Sequence, residues 1–194
     1  MSIFMEIQHY LQQYLGIPSS QLQQIAALFE LEEVEKGDFW IKQGQYGGRL
    51  SFLSAGHVHF YATAPHSGKS ITQWIASPGD FIADSSALFF EGPARWNIQT
   101  LSPCQLHTIS SENYQKIGEW VPEWPQLEKS FLVSCFRTLE ERVFQLLSLT
   151  AEQRYQALWE RDATLFNQVP LQYLASMLHM TPETLSRIRA KKQT

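Results

Sequence analysis

Near the carboxyl end, Glu183, Ser186, Arg187 and Ala190 fall within an arc of about 100° when successive residues are set 100° apart, while Leu185 and Ile188 take the opposite side. An acceptor, a hydroxyl, a bidentate donor and a small residue that permits close approach form a set able to read base edges in a major groove. Arg suits guanine O6 and N7, Glu suits cytosine N4, and Ser suits either. Arg189, Lys191 and Lys192 stand beside this face and would neutralise phosphates, which supplies affinity but no sequence information. Spacing alone also fits an ordinary amphipathic hairpin with a basic end.

A second constellation is His57-Val58-His59. Alternate residues on a strand share a face, and two imidazoles can share a metal. A jelly-roll metal-binding protein or enzyme of the cupin type is therefore the alternative reading. Its first motif wants Gly six residues before the first His, where Ser51 stands, and Glu four or five residues after the second, where Thr63 and Ala64 stand. His66 and His107 are the remaining candidates to complete a site. Paired strand histidines are ordinarily solvated, and no metal site is assigned. Cys104 and Cys135 are too few for a disulfide framework or a four-thiolate cluster, and both read as buried small apolar residues. No Ser/His/Asp or Cys/His arrangement has suggestive spacing. The chain is read as no enzyme, with no cofactor.

The net charge of -4 argues against a polyanionic partner only if it is evenly spread. It is not. Residues 163–194 carry four basic groups against Glu183 alone, leaving eleven basic and eighteen acidic groups in the first 162. The apolar and aromatic content, with six Trp and twelve Phe, is too high for a disordered chain, and 194 residues suffice for one sizeable core or two small ones. No run reaches the ~18 apolar residues of a membrane span, and Met1 to Glu6 lacks the basic and apolar stretches of a secretion signal, so a cytoplasmic location away from membranes is expected.

Elements must position these groups. Ile3, Phe4, Ile7, Tyr10, Leu11, Tyr14 and Leu15 follow helical spacing up to Gly16 and Pro18, and Leu22, Ile25, Ala26, Leu28 and Phe29 continue a second stripe. From Leu31 to Ser110, turn residues interrupt short β-branched and aromatic runs every 8 to 12 residues or so, as in an antiparallel barrel or jelly roll. Gln126 to Leu147 reads as one long helix. Leu132, Cys135, Phe136, Leu139, Val143, Leu146 and Leu147 share an arc of about 120°, with Ser130, Ser134, Arg137 and Glu141 on the far side. That apolar face needs a partner, either its own β-domain or the same helix of a second subunit, and the homodimer is preferred. A short helix follows over 151–161, then an apolar connector at Leu165 and Phe166. Pro170 opens a helix through Leu178, the chain breaks at His179-Met180, and Thr181 caps the last helix.

The run Leu174-Ala175-Ser176-Met177-Leu178-His179-Met180-Thr181-Pro182-Glu183-Thr184-Leu185-Ser186-Arg187-Ile188 resembles the helix-turn-helix of the Crp/Fnr family of bacterial transcription regulators. Gly79-Asp80-Phe81-Ile82 and the Gly-punctuated region resemble that family's cyclic-nucleotide-binding-like β-roll. The likeness spans about residues 20 to 190. Val169-Pro170-Leu171 and the Thr-Pro-Glu-Thr-Leu-Ser-Arg-Ile-Arg run look most like the compact Bacteroidetes-type members. The resemblance implies an α+β chain. Its parts are an N-terminal double-stranded β-helix (a jelly-roll-like β-roll) with flanking helices over 1–122, a dimerisation helix over 123–148 and a helix-turn-helix domain over 149–194.

The expected partners are double-stranded DNA, a second copy through the 126–147 helix, and an unidentified small-molecule effector. Thr181, Glu183, Ser186, Arg187, Arg189 and Lys191 are the expected DNA contacts. Two departures from the family accompany them. His179 stands where a turn glycine is usual, so it must adopt positive φ. Little chain follows the last helix, so groove contacts are expected to rest on that helix without a wing.

In cyclic-nucleotide-binding members the pocket resembles Phe-Gly-Glu-Leu followed some ten residues later by Arg-(Ser/Thr)-Ala, the Glu taking the ribose 2'-hydroxyl and the Arg the cyclic phosphate. Here Ala83 and Asp84 replace the Gly and Glu. Ala94 holds the arginine position, and Arg95 follows, turned to the other face of a strand. Asp84, Ser85 and Arg95 are the candidate ligand residues, in a pocket not expected to respond to cyclic AMP.

Overall fold

The computed structural model describes residues 3–192, with side chains from 7 to 191. Met1 and Ser2, the side chains of Ile3 and Phe4 that open the first stripe, and the Lys192 side chain lie outside the described residues, as do the remaining side chains of the amino-terminal stretch read for a secretion signal.

The first stripe forms α1 (Ile3–Leu15), and the second forms a shorter helix, α2 (Leu22–Ala26). Leu28 and Phe29 pack against the same core beyond its end. Eight strands follow: β1 (Glu30–Val34), β2 (Phe39–Ile41), β3 (Arg49–Ala55), β4 (Val58–Thr63), β5 (Ser70–Ala76), β6 (Phe81–Ala83), β7 (Asn97–Thr100) and β8 (Cys104–Ser110). They pair antiparallel in two four-stranded sheets, β1-β8-β3-β6 and β2-β7-β4-β5. The jelly-roll expectation from turn spacing is met by these two antiparallel sheets. At the β3–β4 turn, Gly56 has φ 91, and a Cβ there would collide with Pro103 and Cys104. Only glycine fits.

Two helices within the predicted all-β region and its boundary were not legible in the pattern. The first, α3 (Ser85–Phe90), lies between β6 and β7, and the second, α4 (Ser111–Trp120), follows β8 under a Ser110 cap. Next comes α5 (Trp124–Ser148), then α6 (Ala151–Arg161), whose first turn is fixed by a capping box between Thr150 and Gln153. The apolar connector is a helical turn, α7 (Leu165–Gln168), with Leu165 and Phe166 buried. The chain ends in α8 (Leu171–Met177) and α9 (Pro182–Lys192).

Three buried clusters organise the molecule. One lies between the two sheets, around Leu53, Val58, Ile82, Ile98 and Leu106. Another joins α1, α4 and the start of α5 to the outside of β3 through Leu11, Phe52, Ile117 and Trp124. The third holds α6 to α9 around Leu158, Leu165, Leu174 and Leu185, and takes in Ile75 of β5 and Leu101. The C-terminal helices therefore pack on the roll itself. Cys104 is buried as expected, whereas Cys135 is exposed on α5, a correction to the reading of both as core.

The long helix turns its sides opposite to a self-contained chain. Trp124, Leu127 and Phe131 enter the core cluster of α1 and α4. Beyond them Leu132, Val133, Phe136, Leu139, Val143, Phe144 and Leu147 are exposed, while Ser130, Ser134, Arg137 and Glu141, also exposed, border cavities against the chain's own domains. Leu146 of the expected apolar face is instead half-buried on a cavity wall, and Cys135 and Leu139 border a cavity as well. Val133 and Phe144 widen the apolar face beyond the predicted set.

Candidate functional site

The end of α8 shows how a non-glycine residue can make the turn. His179 takes φ 53; its N–H donates to Ser176 O, and the Met180 N–H donates to Ala175 O. Those two bonds close the helix as a left-handed C-terminal cap does. Arg154 of α6 adds to them, donating to the carbonyls of Leu178 (2.8 Å), Leu149 (2.6 Å) and His179 (3.3 Å). The positive φ expected of His179 is thus present, and a charged donor secures the carbonyls exposed by the turn.

Thr181 then caps α9, its hydroxyl accepting from the Thr184 N–H at 3.2 Å. Leu185 and Ile188 are buried in the C-terminal cluster, and Thr181, Glu183, Ser186, Arg187 and Ala190 are exposed. The hydrogen bonds at the helix start, the Glu183 amide first and then Thr181, hold the Glu183 carboxyl below its ordinary value. The supporting cations sit differently from the expectation of free phosphate contacts. Arg189 is half-buried with its guanidinium 5.9 Å from the Phe166 ring centre, and Lys191 pairs with Glu152 at 3.3 Å. The latter is an exposed pair that costs little to open.

On the roll, Asp84 is 2% exposed and N-caps α3. One carboxylate oxygen accepts from the N–H groups of Ser86 (3.1 Å) and Ala87 (3.2 Å), the other from those of Arg95 (2.8 Å) and Trp96 (3.1 Å). Four backbone donors converge on one side-chain anion, which ties α3 to the segment entering β7. Ala94 is buried, and Ser85 and Arg95 are exposed, so Arg95 is turned away from the interior as the one-residue offset implied. A space of about 600 Å³ lies against the roll, between α1, β6 and α5, with Tyr14, Phe81, Ala83, Phe131 and Ser134 on its walls, and none of Asp84, Ser85 and Arg95 lines it.

The histidine pair is buried, contrary to the expectation of solvated imidazoles. His59 hydrogen-bonds Thr72 through Nε2 at 2.9 Å and lies against the rings of Tyr61 and Tyr173, 4.6 and 4.5 Å away between centres. Burial pushes it down to about 4 and also lowers His57. His66 is exposed. Among the described residues no group of three His, Cys, Asp or Glu side chains could hold a metal ion.

What the sequence did not disclose is the seam between roll and C-terminal helices. Tyr173 on α8 covers His59, and Ser176 accepts a hydrogen bond from the Thr72 N–H of edge strand β5 at 3.0 Å. Ser77 donates to Asp162 at 2.9 Å, and Trp74 lies beneath the guanidiniums of Arg142 and Arg161. These partners are 68 to 114 residues apart in the chain, too far for any local pattern to link.

Residues 31–119 match the family described as Cyclic nucleotide-binding domain. The roll has the cyclic-nucleotide-binding fold. No curated protein sequence matches the chain. Solved structures extend the likeness beyond the roll. FixK2 from Bradyrhizobium japonicum aligns at 16% identity and TM-score 0.72 over 84% of this chain and 83% of its own. The c-di-GMP responsive global regulator CLP of Xanthomonas campestris aligns at 18% and 0.64 over 91% and 92%. The Thermus thermophilus catabolite activator protein aligns at 20% and 0.59 over 94% and 85%. At these identities the likeness is one of fold. Among the described residues, no helix is long and apolar enough to cross a membrane.

Proposed function

We propose that the chain is a homodimeric, sequence-specific DNA-binding transcription regulator of the Crp/Fnr type, in which α8 and α9 form the helix-turn-helix and α9 enters the major groove. The observation that carries this reading is the division of α9. Leu185 and Ile188 are spent on the core, and Glu183, Ser186, Arg187 and Ala190 form an open polar face with base-reading chemistry. The uncovered apolar side of α5 supports the dimer, since a second α5 would bury Phe136, Val143 and Phe144 together. Two reading helices would then meet half-sites ~34 Å apart, one turn of duplex. No catalytic role is proposed.

The roll is proposed as a sensor that does not answer to cyclic AMP. Its backbone donors between α3 and β7 already hold the Asp84 carboxylate, and Arg95 points outward. Binding of pooled genomic duplex fragments at two salt concentrations tests the DNA reading. Saturable binding that weakens with salt is expected, and Lys191→Ala should lower the salt slope by about one unit without changing sequence preference. Absence of binding at low salt contradicts it.

A further inference from the structure

A cavity of about 490 Å³ lies where β5, α5, α6 and the end of α8 meet. Its size is within the ~300 to 1,000 Å³ of small-molecule sites. Part of its wall is apolar, from Trp74, Leu146, Leu158 and Met177, and four guanidiniums join it, those of Arg137, Arg142, Arg154 and Arg161, with Glu141 the one acid on the wall. Arg154 is spent on the helix-end carbonyls described above. The other three have donors to spare. Arg142 makes one bond, to Met177 O at 3.1 Å, and stands with Arg161 over the Trp74 ring, at 5.2 and 4.5 Å.

The ion pairs among the described residues are Arg49–Glu32, Lys116–Glu112 and Lys191–Glu152, so no cavity arginine has a carboxylate within bonding distance. Asp80 and Asp162 act on Arg161 from outside the cavity wall. Burial, and next the charge of Arg161, push Arg142 down to about 10. Asp80 and Asp162 offset part of the Arg161 charge, whereas no carboxylate is set against Arg142, a half-buried cation beside a like charge that a further anion would stabilise.

We infer that this cavity is a binding site for an amphipathic organic anion, a carboxylate, sulfonate or phosphate ester on an apolar or aromatic body. The anionic group sits between Arg142, Arg161 and Arg137, and the body lies against Leu146, Leu158, Met177 and Leu178. Planar guanidiniums offer the forked donors such groups take, and the apolar wall offers contact that an organic body can use and a bare inorganic ion cannot. The site is separate from the roll's Asp84 region and from the exposed face of α9. Its walls come from the sensor, the long helix and the C-terminal unit, so an occupant touches every part whose relative placement would set the reading helices. Binding itself does not depend on the DNA-binding reading.

The test titrates the intact protein with 8-anilinonaphthalene-1-sulfonate, an aromatic sulfonate that brightens in apolar surroundings, and with uncharged N-phenyl-1-naphthylamine. The sulfonate should bind saturably and more tightly than the neutral dye, and its affinity should fall as salt rises. Arg142→Met and Arg161→Met, which keep much of the stem, should each weaken it by about tenfold or more. Arg137→Met removes an exposed group that makes no hydrogen bond in the structure and serves as the variant least able to disturb folding; a weakening of several-fold is expected. Equal affinity for the two dyes, or unchanged sulfonate binding in all three variants, overturns the inference. Neither outcome bears on whether α9 binds DNA.

Discussion

Replacing Asp84 by Ala removes a carboxylate that four backbone N–H groups share. Two of these belong to the first turn of α3, and losing an N-cap there costs about 0.5 to 2 kcal/mol. The other two, from Arg95 and Trp96, are left facing an emptied, water-poor space at about 1 to 3 kcal/mol each. Arg95 and Trp96 are not fully buried, which moves the total to the lower part of that range, about 3 to 5 kcal/mol. Against total stabilities of ~5 to 15 kcal/mol this is a large fraction. With a urea slope of roughly 2 kcal/mol per molar, the unfolding midpoint should fall by about 2 M at unchanged slope.

Asp84→Asn should fall between Ala and the parent, since its amide nitrogen would face the Arg95 and Trp96 donors. Acetate should restore part of the Ala variant's stability saturably, by occupying the emptied donors in the folded state alone. Ser85→Ala, one residue away on an exposed side chain, is the control. Should Asp84→Ala cost under about 1 kcal/mol, or no more than Ser85→Ala, the carboxylate does not hold the two segments together and the reasoning fails.

Other outcomes follow from the seam and the long helix. His59 titrates near 4 in the folded chain and near 6.5 when unfolded, so the unfolded state binds more protons between those values. Stability should therefore be full above pH 6.5 and fall by up to about 3 kcal/mol as pH drops towards 4, and His59→Phe should flatten that part of the profile in urea titrations. Phe136→Glu with Phe144→Glu puts two charges into the exposed apolar side of α5. Sedimentation should shift from dimer to monomer, with a dissociation constant raised by about a hundredfold or more. Unchanged sedimentation would place the subunit contact elsewhere.

What could be read from the sequence was local. The stripe of α9, the Thr181 cap and the break at His179 are set within a few residues, and the structure places them as the spacing implies. Turn punctuation likewise located the strands of the roll. Asp84 was legible as a departure from a family pattern but not as a cap, because half of its donors come from Arg95 and Trp96, brought back by the path of the chain after α3. The burial of His59 depends on Tyr173, which arrives only when α8 lies on β5. The cavity arginines come from two helices, Arg137 and Arg142 on α5 and Arg154 and Arg161 on α6, and Trp74 on β5 completes the group. On α5 the wheel located an apolar side and a polar side, but nothing in the sequence assigned the polar side to the chain's own cavities.

The most direct measurement is selection of bound duplexes from a randomised pool by the parent and by Arg187→Ala at fixed salt. The account predicts a two-fold symmetric motif with half-sites about 10 base pairs apart, and a variant that loses ~1 to 3 kcal/mol and discrimination at one position in each half-site. No enriched motif, or the same motif with equal stringency from the variant, would contradict the placement of α9 in the groove.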